Sequence, residues 1–548
     1  MNNSEKIPVI VELNFDYSSI YRELSKLDSR YFDSNGIKSN LNNLQILDAK
    51  IYKNSYIKNI MASNNVLTEN YEIIAQTEYA PFIFLNVNKK EVEKLSKDKN
   101  VFSIGLFPDF IMEATTTNSA TTAVSVNNNS TLATRVDLIK NAGLNGDGIR
   151  IGQIETSNPN ISNSYLSGKT IFLRNNNCSN GVDSVNHATE VAGILIGSNG
   201  IAPSASLYSA CFYGIQGSTV IISSFADSIN WLIGENVDII NMSARVQSTF
   251  SYNTMDRWID AITFMYDILF VKSSGNNSNA NTVTSPGLSY NTVTVGSINY
   301  TGTNYLEAAN GSRSSFSSYS TYSSGNNSNK PELVVPGEGI NYTNEYGALS
   351  SGTSFSSPII AGTAALLMQS TPSTRTNFQS LKAALFVTAR AMTNYPKSIG
   401  SSDGFPVSYF HYNDEVGLGL LDGKAAYDLL RWGQFTNFTV NGGSSDSYTY
   451  YNTLSNGKNI RVAITWSKPN TATSYSSVNN NGTDRVADLD LHILGPSGQK
   501  IVISGSAFDN VEWVSFTTNL GYGSYRFKAV NYATFGNTVP TKVSMAWW

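Results

Sequence analysis

A stretch of small polar residues, Ser351-Gly352-Thr353-Ser354-Phe355-Ser356-Ser357-Pro358, runs directly into the apolar series Ile359-Ile360-Ala361-Gly362-Thr363-Ala364-Ala365-Leu366-Leu367. The apolar series has almost no polar face, which predicts a buried helix. Pro358 suits the first turn of that helix, where its missing N–H costs nothing. Ser354 then falls just ahead of the helix N-terminus, where free N–H groups favour negative charge. A serine that attacks a carbonyl builds an oxyanion beside itself, so this is a fitting place for a nucleophile. A Ser/Thr-rich loop leading into a core helix would have the same composition, and the stretch alone does not separate the two. A serine nucleophile also needs a base. The chain has three histidines, His187, His411 and His492, so the choice is narrow.

The elements that must position these groups are legible as three regions. Residues 1 to about 113 carry the most charge and end in a strand–helix–strand pattern: Phe82 to Val87, Lys89 to Asp98, and Val101 to Ile104. This predicts a small α+β domain. A Thr/Ser/Asn-rich segment over 114–131 has little to bury and reads as a linker. Residues 132–432 alternate short apolar strands with helical spacing, which predicts a parallel sheet with right-handed crossovers and helices on both faces. Its strands include Ile149 to Ile154, Ser206 to Cys211, Val237 to Met242 and Ile268 to Val271; its helices include one starting near His187, Ile221 to Gly234 and Met255 to Tyr266. Sites in such folds lie at the carboxyl ends of strands. Residues 433–548 have no helical periodicity and predict an all-β sandwich, with strands near 460–466, 489–494, 512–516 and 523–530.

Composition excludes several function classes. Hydrophobic residues make up 41% of the chain, so it is globular. Charged residues are only 14%, against roughly 25% in ordinary soluble proteins, and Ser, Asn and Thr supply the polarity instead. A net charge of -4 argues against a nucleic-acid partner and offers no basic membrane patch. No apolar run reaches the roughly 18 residues of a membrane helix. Met1 to Pro8 shows no signal-peptide apolar core, which leaves a cytoplasmic protein or an export signal outside this sequence. Cys178 and Cys211 are too few for a disulfide framework or a zinc site, and the sequence leaves open whether they pair.

The middle region resembles the subtilisin-like serine peptidases (subtilases) in a series of blocks that follow the family's order. Gly146 to Thr156 resembles the strand carrying the family's acidic residue, and Asn186 to Gly193 its histidine block. Gly200 to Tyr208 and Val237 to Ser243 resemble framework and cleft strands; Ser273-Ser274-Gly275-Asn276-Asn277 resembles the oxyanion block; Pro336-Gly337 and Ser351 to Pro358 complete the set. The resemblance implies an endopeptidase working through an acyl-enzyme on a protein or peptide substrate. Ser354 would be the nucleophile, His187 the base, Glu155 the acid and Asn276 the oxyanion donor. Glu155 departs from the family, which has aspartate there, and its stem is one methylene longer. A misplaced glutamate would instead imply a catalytically impaired subtilase acting as a binding or regulatory partner. Asp147 and Asp183 are the other nearby carboxylates; Asp147 precedes the strand and would lie at its wrong end.

The resemblance extends to substrate binding and to the flanks. Ser243, Ala244 and Arg245, with Ser274 and Gly275, take the places that bind substrate, and Arg245 and Val246 stand where the family has glycines. Phe82 to Ile104 resembles the end of the family's propeptide, so residues 1–113 would act as an intramolecular inhibitor cut near Met112 to Thr117. Val462 to Pro469 and Ala487 to His492 resemble the jelly-roll-like β-sandwich appended to some subtilases. Asp488 and Asp490 alternate on one strand face. A calcium ion there is the alternative to the expectation of no cofactor, since two carboxylates are few for an ion that takes six to eight oxygens. Low charge and the family lean toward an extracellular protein.

Overall fold

The computed structural model describes residues 5–548 apart from 18–19, 21–22, 24–26, 28, 34–35, 39, 65–66, 68–69, 108–109, 112–115, 119–126, 175–177, 179–186, 214–218, 247–249, 301, 321–328, 341–348, 396–412, 441–446, 469–487, 506–508 and 534–540. His411, Asp183, Asn186 and positions 112–115 of the expected cut therefore lie outside the described residues.

An eight-stranded sheet forms the centre of the molecule. Its order begins Ile171–Leu173, Ser206–Cys211, Arg150–Glu155, Ile239–Met242, Leu269–Ser273, Val293–Asn299. These strands are parallel; Leu333–Pro336 also joins Val293–Asn299 in parallel, while Ser312–Arg313 joins it antiparallel. After Arg150–Glu155 the chain crosses first to one side and later returns to the other. The order therefore reverses between Arg150–Glu155 and Ile239–Met242, the place at whose carboxyl ends such sheets bind their ligands.

Side-chain alternation along these strands feeds two separate cores. Ile151, Leu207, Ile239, Leu269 and Val271 face one core, shared with helices His187–Ile196 and Thr353–Ser370. Ile154, Tyr208, Ile240 and Phe270 face the other, shared with helices Thr219–Gly234 and Thr254–Tyr266. Burial on both faces is why the strands read as continuous apolar runs.

The N-terminal region forms a four-stranded antiparallel sheet in the order Glu72–Gln76, Phe82–Val87, Ile7–Leu13, Val101–Leu106. The expected short helix spans Lys89–Leu95, and the reciprocal bonds between Asn88 and Glu91 start it as a capping box. The long helix Asn43–Asn64 packs against the helices Thr219–Gly234 and Thr254–Tyr266, which cover the second face of the central sheet. The Thr/Ser/Asn-rich segment departs from the expected linker. It contributes the strand Thr116–Asn118 and the helix Asn127–Ala133, because the first finds an open strand edge and the second packs near the helix Val136–Asn141.

The C-terminal region consists of two four-stranded antiparallel sheets whose apolar faces meet in one cluster that includes Trp466, Leu491, Phe527 and Met545. Helix Phe378–Thr388 is buried along its whole length between the central unit and the strands Asn459–Trp466 and Thr541–Trp547. Among the described residues, no helix is long and apolar enough to cross a membrane.

A buried charge cluster ties the N-terminal helix to the amino end of the central sheet. Asp238, fully buried, accepts from Lys50 Nζ at 2.9 Å and from Arg375 Nε and Nη2, each at 3.1 Å. Burial alone would raise this carboxyl, but Arg375 and Lys50 outweigh it and hold the pKa at about 2. A carboxyl whose folded pKa lies below its unfolded value stabilises the fold above the unfolded pKa, and that contribution is lost as pH falls from about 4 toward about 2. Replacing Asp238 with Asn should cost about 3–5 kcal/mol at neutral pH by stranding two buried cations. In urea unfolding of both proteins, the difference should shrink by about 2–3 kcal/mol on going to about pH 2. A difference independent of pH would contradict the ion-pair account.

Candidate active site

Glu155 is the last residue of its strand, and its backbone is fixed by pairing: it lies opposite Cys211, and Phe212 N donates to Glu155 O at 3.0 Å. Its side chain is 2% exposed. Glu155 Oε2 lies 2.9 Å from His187 Nδ1, so the longer glutamate stem does reach the imidazole. Among the described residues, no donor reaches Glu155 Oε1. Asp147 lies in the turn before the strand, at the amino end of the sheet, as expected.

His187 opens the helix His187–Ile196. Gln153, two residues before Glu155 and so on the same face of the strand, is fully buried and donates from Nε2 to Ala188 O at 3.0 Å. This bond pins the first turn of the histidine helix to the strand that carries Glu155. Sequence reading passed over Gln153; its signal was a polar side chain inside the apolar run Ile151 to Ile154. A disulfide between Cys178 and Cys211 closes the loop that contains His187, so the two cysteines do pair. His492 lies on the C-terminal strand Asp488–Leu494, where its Nε2 is 3.7 Å from Asp490 Oδ2.

The serine stretch differs from expectation in where its helix starts. The helix spans Thr353–Ser370, so Ser354 is its second residue rather than the residue before it, and Pro358 is the sixth. Pro358 therefore lies past the first turn, and its missing N–H has a consequence. In an α-helix the carbonyl of residue 354 would accept from the N–H of residue 358. Pro358 cannot donate. Ser243 Oγ donates to Ser354 O instead, at 2.9 Å. Ser243 directly follows the strand Ile239–Met242; its Oγ also lies 3.0 Å from Ser357 Oγ and accepts from Asn241 Nδ2 at 3.2 Å.

Asn276 arrives from the next strand. Gly275 turns the chain there with φ of 110°, a backbone state that L side chains rarely adopt. Thr353 then orients the Asn276 amide: its N–H and Oγ1 both donate to Asn276 Oδ1, at 3.0 and 2.9 Å, while Gly275 N donates to Thr353 Oγ1 at 3.1 Å. Nδ2 is thereby turned toward Gly352 and Ser354. A methyl group built on Gly352 would lie 3.2 Å from Asn276 Nδ2 and 3.3 Å from Ser354 Oγ, so both atoms border the same point in space. The His187 ring lies beside the residue that follows Ser354, its centroid 5.6 Å from that of Phe355. The orienting role of Thr353 was not visible in sequence, where it is one hydroxyl among many. Ser274 and Ala244 are buried beside these groups.

Two short strands lie along this centre. Phe110–Ile111 pairs antiparallel with Arg245–Val246, and Thr116–Asn118 pairs antiparallel with Leu349–Ser351. The first pairing follows Ser243 and Ala244, the second leads into Ser354, and Ser354 is fully buried. Among the described residues, no group of three or more His, Cys, Asp or Glu side chains comes together to hold a metal ion.

The Ser243 bond generates a stability test. Ser243→Ala removes the donor to a buried carbonyl and should cost about 1–3 kcal/mol in denaturant unfolding. Adding Pro358→Ala restores a helical N–H to the same carbonyl, so the double variant should recover part of that loss. Strict additivity of the two changes would show that they do not act on one carbonyl.

The family model described as the subtilase family matches residues 146–419, which include Glu155, His187, Asn276 and Ser354. The thermostable alkaline protease of Halalkalibacterium halodurans is 30% identical over 319 residues, covering 56% of this chain and 77% of that protein. Subtilisin Savinase of Lederbergia lenta is 29% identical over 242 residues, covering 42% of this chain and 81% of that protein. The minor extracellular protease Epr of Bacillus subtilis is 26% identical over 340 residues, covering 59% of this chain and 48% of that protein. The parallel sheet and the match over residues 146–419 lead to one conclusion: the chain belongs to the subtilase family of serine peptidases.

Proposed function

We propose that the protein is a serine endopeptidase, made as a zymogen that cuts itself, in which Glu155, His187 and Ser354 form the triad. The 2.9 Å contact between Glu155 and His187 carries this reading, because it supports a working acid at the one position that departs from the family. Ser354 Oγ attacks the peptide carbonyl while His187 takes its proton. The carbonyl oxygen becomes an oxyanion, stabilised by Asn276 Nδ2. His187 then protonates the leaving amine as the C–N bond breaks, and an acyl-enzyme remains. Water, deprotonated by His187, attacks the ester and releases the acid and Ser354. Glu155 holds the imidazole with Nδ1–H as donor and offsets its transient charge. The same contact argues against a silent subtilase.

Substrate backbone pairs with the segment around Ser243, Ala244 and Arg245, as Phe110–Ile111 does with Arg245–Val246. Ser274 and Gly275 complete the wall beside the oxyanion donor. Pairing after Ser243 and Ala244 and again ahead of Ser354 favours an endopeptidase, since a bound chain continues in both directions. In this reading residues 1–113 are the inhibitory propeptide, 132–432 the catalytic domain and 433–548 an appended β-sandwich. The self-cut falls near Met112 to Thr117. We place the working enzyme outside the cell. The low charge, the disulfide and the likeness to a protease named as extracellular support that compartment.

Ser354→Ala protein should stay at its full 59.6 kDa on denaturing gels while the unaltered protein shortens. Shortening of purified Ser354→Ala without another protease present would refute self-cleavage. Glu155→Ala should slow processing and peptide hydrolysis by roughly 10⁴-fold, the scale for losing the acid of a triad, and Glu155→Asp by much less. Equal rates for Glu155→Ala and the unaltered protein would remove Glu155 from the relay.

A further inference from the structure

A helix on the outside of an α/β unit should keep one polar face in water. Helix Thr254–Tyr266 does not: all thirteen of its residues are buried. Its outward face is covered by the N-terminal region, and the contacts run the length of the helix. Thr254 packs so closely on Gly105 that a methyl group there would lie 2.0 Å from the threonine hydroxyl. Arg257 Nε donates to Glu12 Oε2 at 2.7 Å, and its guanidinium lies 4.9 Å from the centre of the Phe102 ring. Trp258 meets Phe84 edge-on with ring centroids 5.1 Å apart. Phe264 meets Tyr17 at 6.2 Å, and Tyr266 meets Tyr79 at 5.8 Å while donating its hydroxyl to Tyr79 O at 2.5 Å.

A second set of contacts lies at the amino ends of the central strands. Lys50 pairs with Asp238 at 2.9 Å and Lys53 with Asp267 at 2.6 Å, and these aspartates precede Ile239–Met242 and Leu269–Ser273. The catalytic groups stand at the opposite, carboxyl ends. Among the described residues, the N-terminal region reaches the cleft through the two-residue strand Phe110–Ile111, while its body is anchored elsewhere.

We infer that the N-terminal region remains a permanent, non-covalent subunit of the processed enzyme. This rests on the self-cleavage reading above. A cut near Met112 to Thr117 frees the cleft for substrate, which displaces a two-residue strand. The same cut leaves every contact to Thr254–Tyr266, Asp238 and Asp267 intact. Departure of the whole region would bare Trp258, Phe264 and Tyr266 together with Arg257, a continuous apolar surface with a stranded charge. The partner is thus the chain's own N-terminal fragment, and its lasting task is to cover this helix.

Gel filtration of the processed protein tests this, in ordinary buffer and at about 1 M salt, where exposed charges are screened. One active peak should contain the N-terminal fragment and the remainder in equal amounts. An active peak lacking the fragment would overturn the inference. A second arm is independent of self-cleavage. Residues 119–126 of full-length Ser354→Ala are replaced by the recognition sequence of an unrelated protease, and the protein is cut there and chromatographed. Co-elution is expected, and separate elution overturns the inference. Absence of self-cutting in the unaltered protein would refute the zymogen reading alone, because the second arm still measures retention.

Discussion

Three neighbouring parallel strands, Arg150–Glu155, Ile239–Met242 and Leu269–Ser273, set the geometry on which everything else depends. Their register places Ile154 opposite Met242, and Met242 opposite Lys272. The residues that follow therefore emerge side by side: Glu155 from the first strand, Ser243 from the second, and Gly275 and Asn276 from the third. Parallel pairing gives all three the same direction, so groups separated by more than a hundred residues in sequence meet at one edge. Helix Thr353–Ser370 packs across these strands and brings Ser354 to the same edge.

The helix start is not self-sufficient. Pro358 removes the N–H that would have tied residue 354 into the helix, and Ser243 supplies the missing donor from the neighbouring strand. Thr353 performs the matching task for Asn276, taking both bonds of the amide oxygen so that the nitrogen faces Gly352 and Ser354. On the acid side, Gln153 ties the histidine helix to the strand of Glu155. Ser354, Asn276 and the first turn of the histidine helix are thus each held by a hydrogen bond from a different element. In a water-poor site such bonds fix orientation as well as distance.

The same sheet is covered differently at its two ends. At the carboxyl ends, the short strands Phe110–Ile111 and Thr116–Asn118 are held through backbone pairing. At the amino ends and along Thr254–Tyr266, buried ion pairs and aromatic contacts hold the N-terminal region. The first kind of contact is made by backbone and does not depend on which side chains the strands carry. The second is specific because it pairs particular side chains.

The order of elements, the parallel sheet and the identities of Ser354, His187, Asn276 and Glu155 as candidates were all legible in the amino-acid sequence. Periodicity and turn residues are local properties, and motif blocks keep their order along a chain. What sequence could not decide was whether Glu155 reaches His187, whether Cys178 meets Cys211, or where the helix before Ser354 begins. Nor did it reveal that Thr116–Asn118, in a segment with nothing to bury, would find a strand to pair with. These are questions of distance between residues remote in sequence. A methylene more or less in a side chain matters only once the backbone atoms at both ends are placed, and packing of the two cores on either side of the sheet places them.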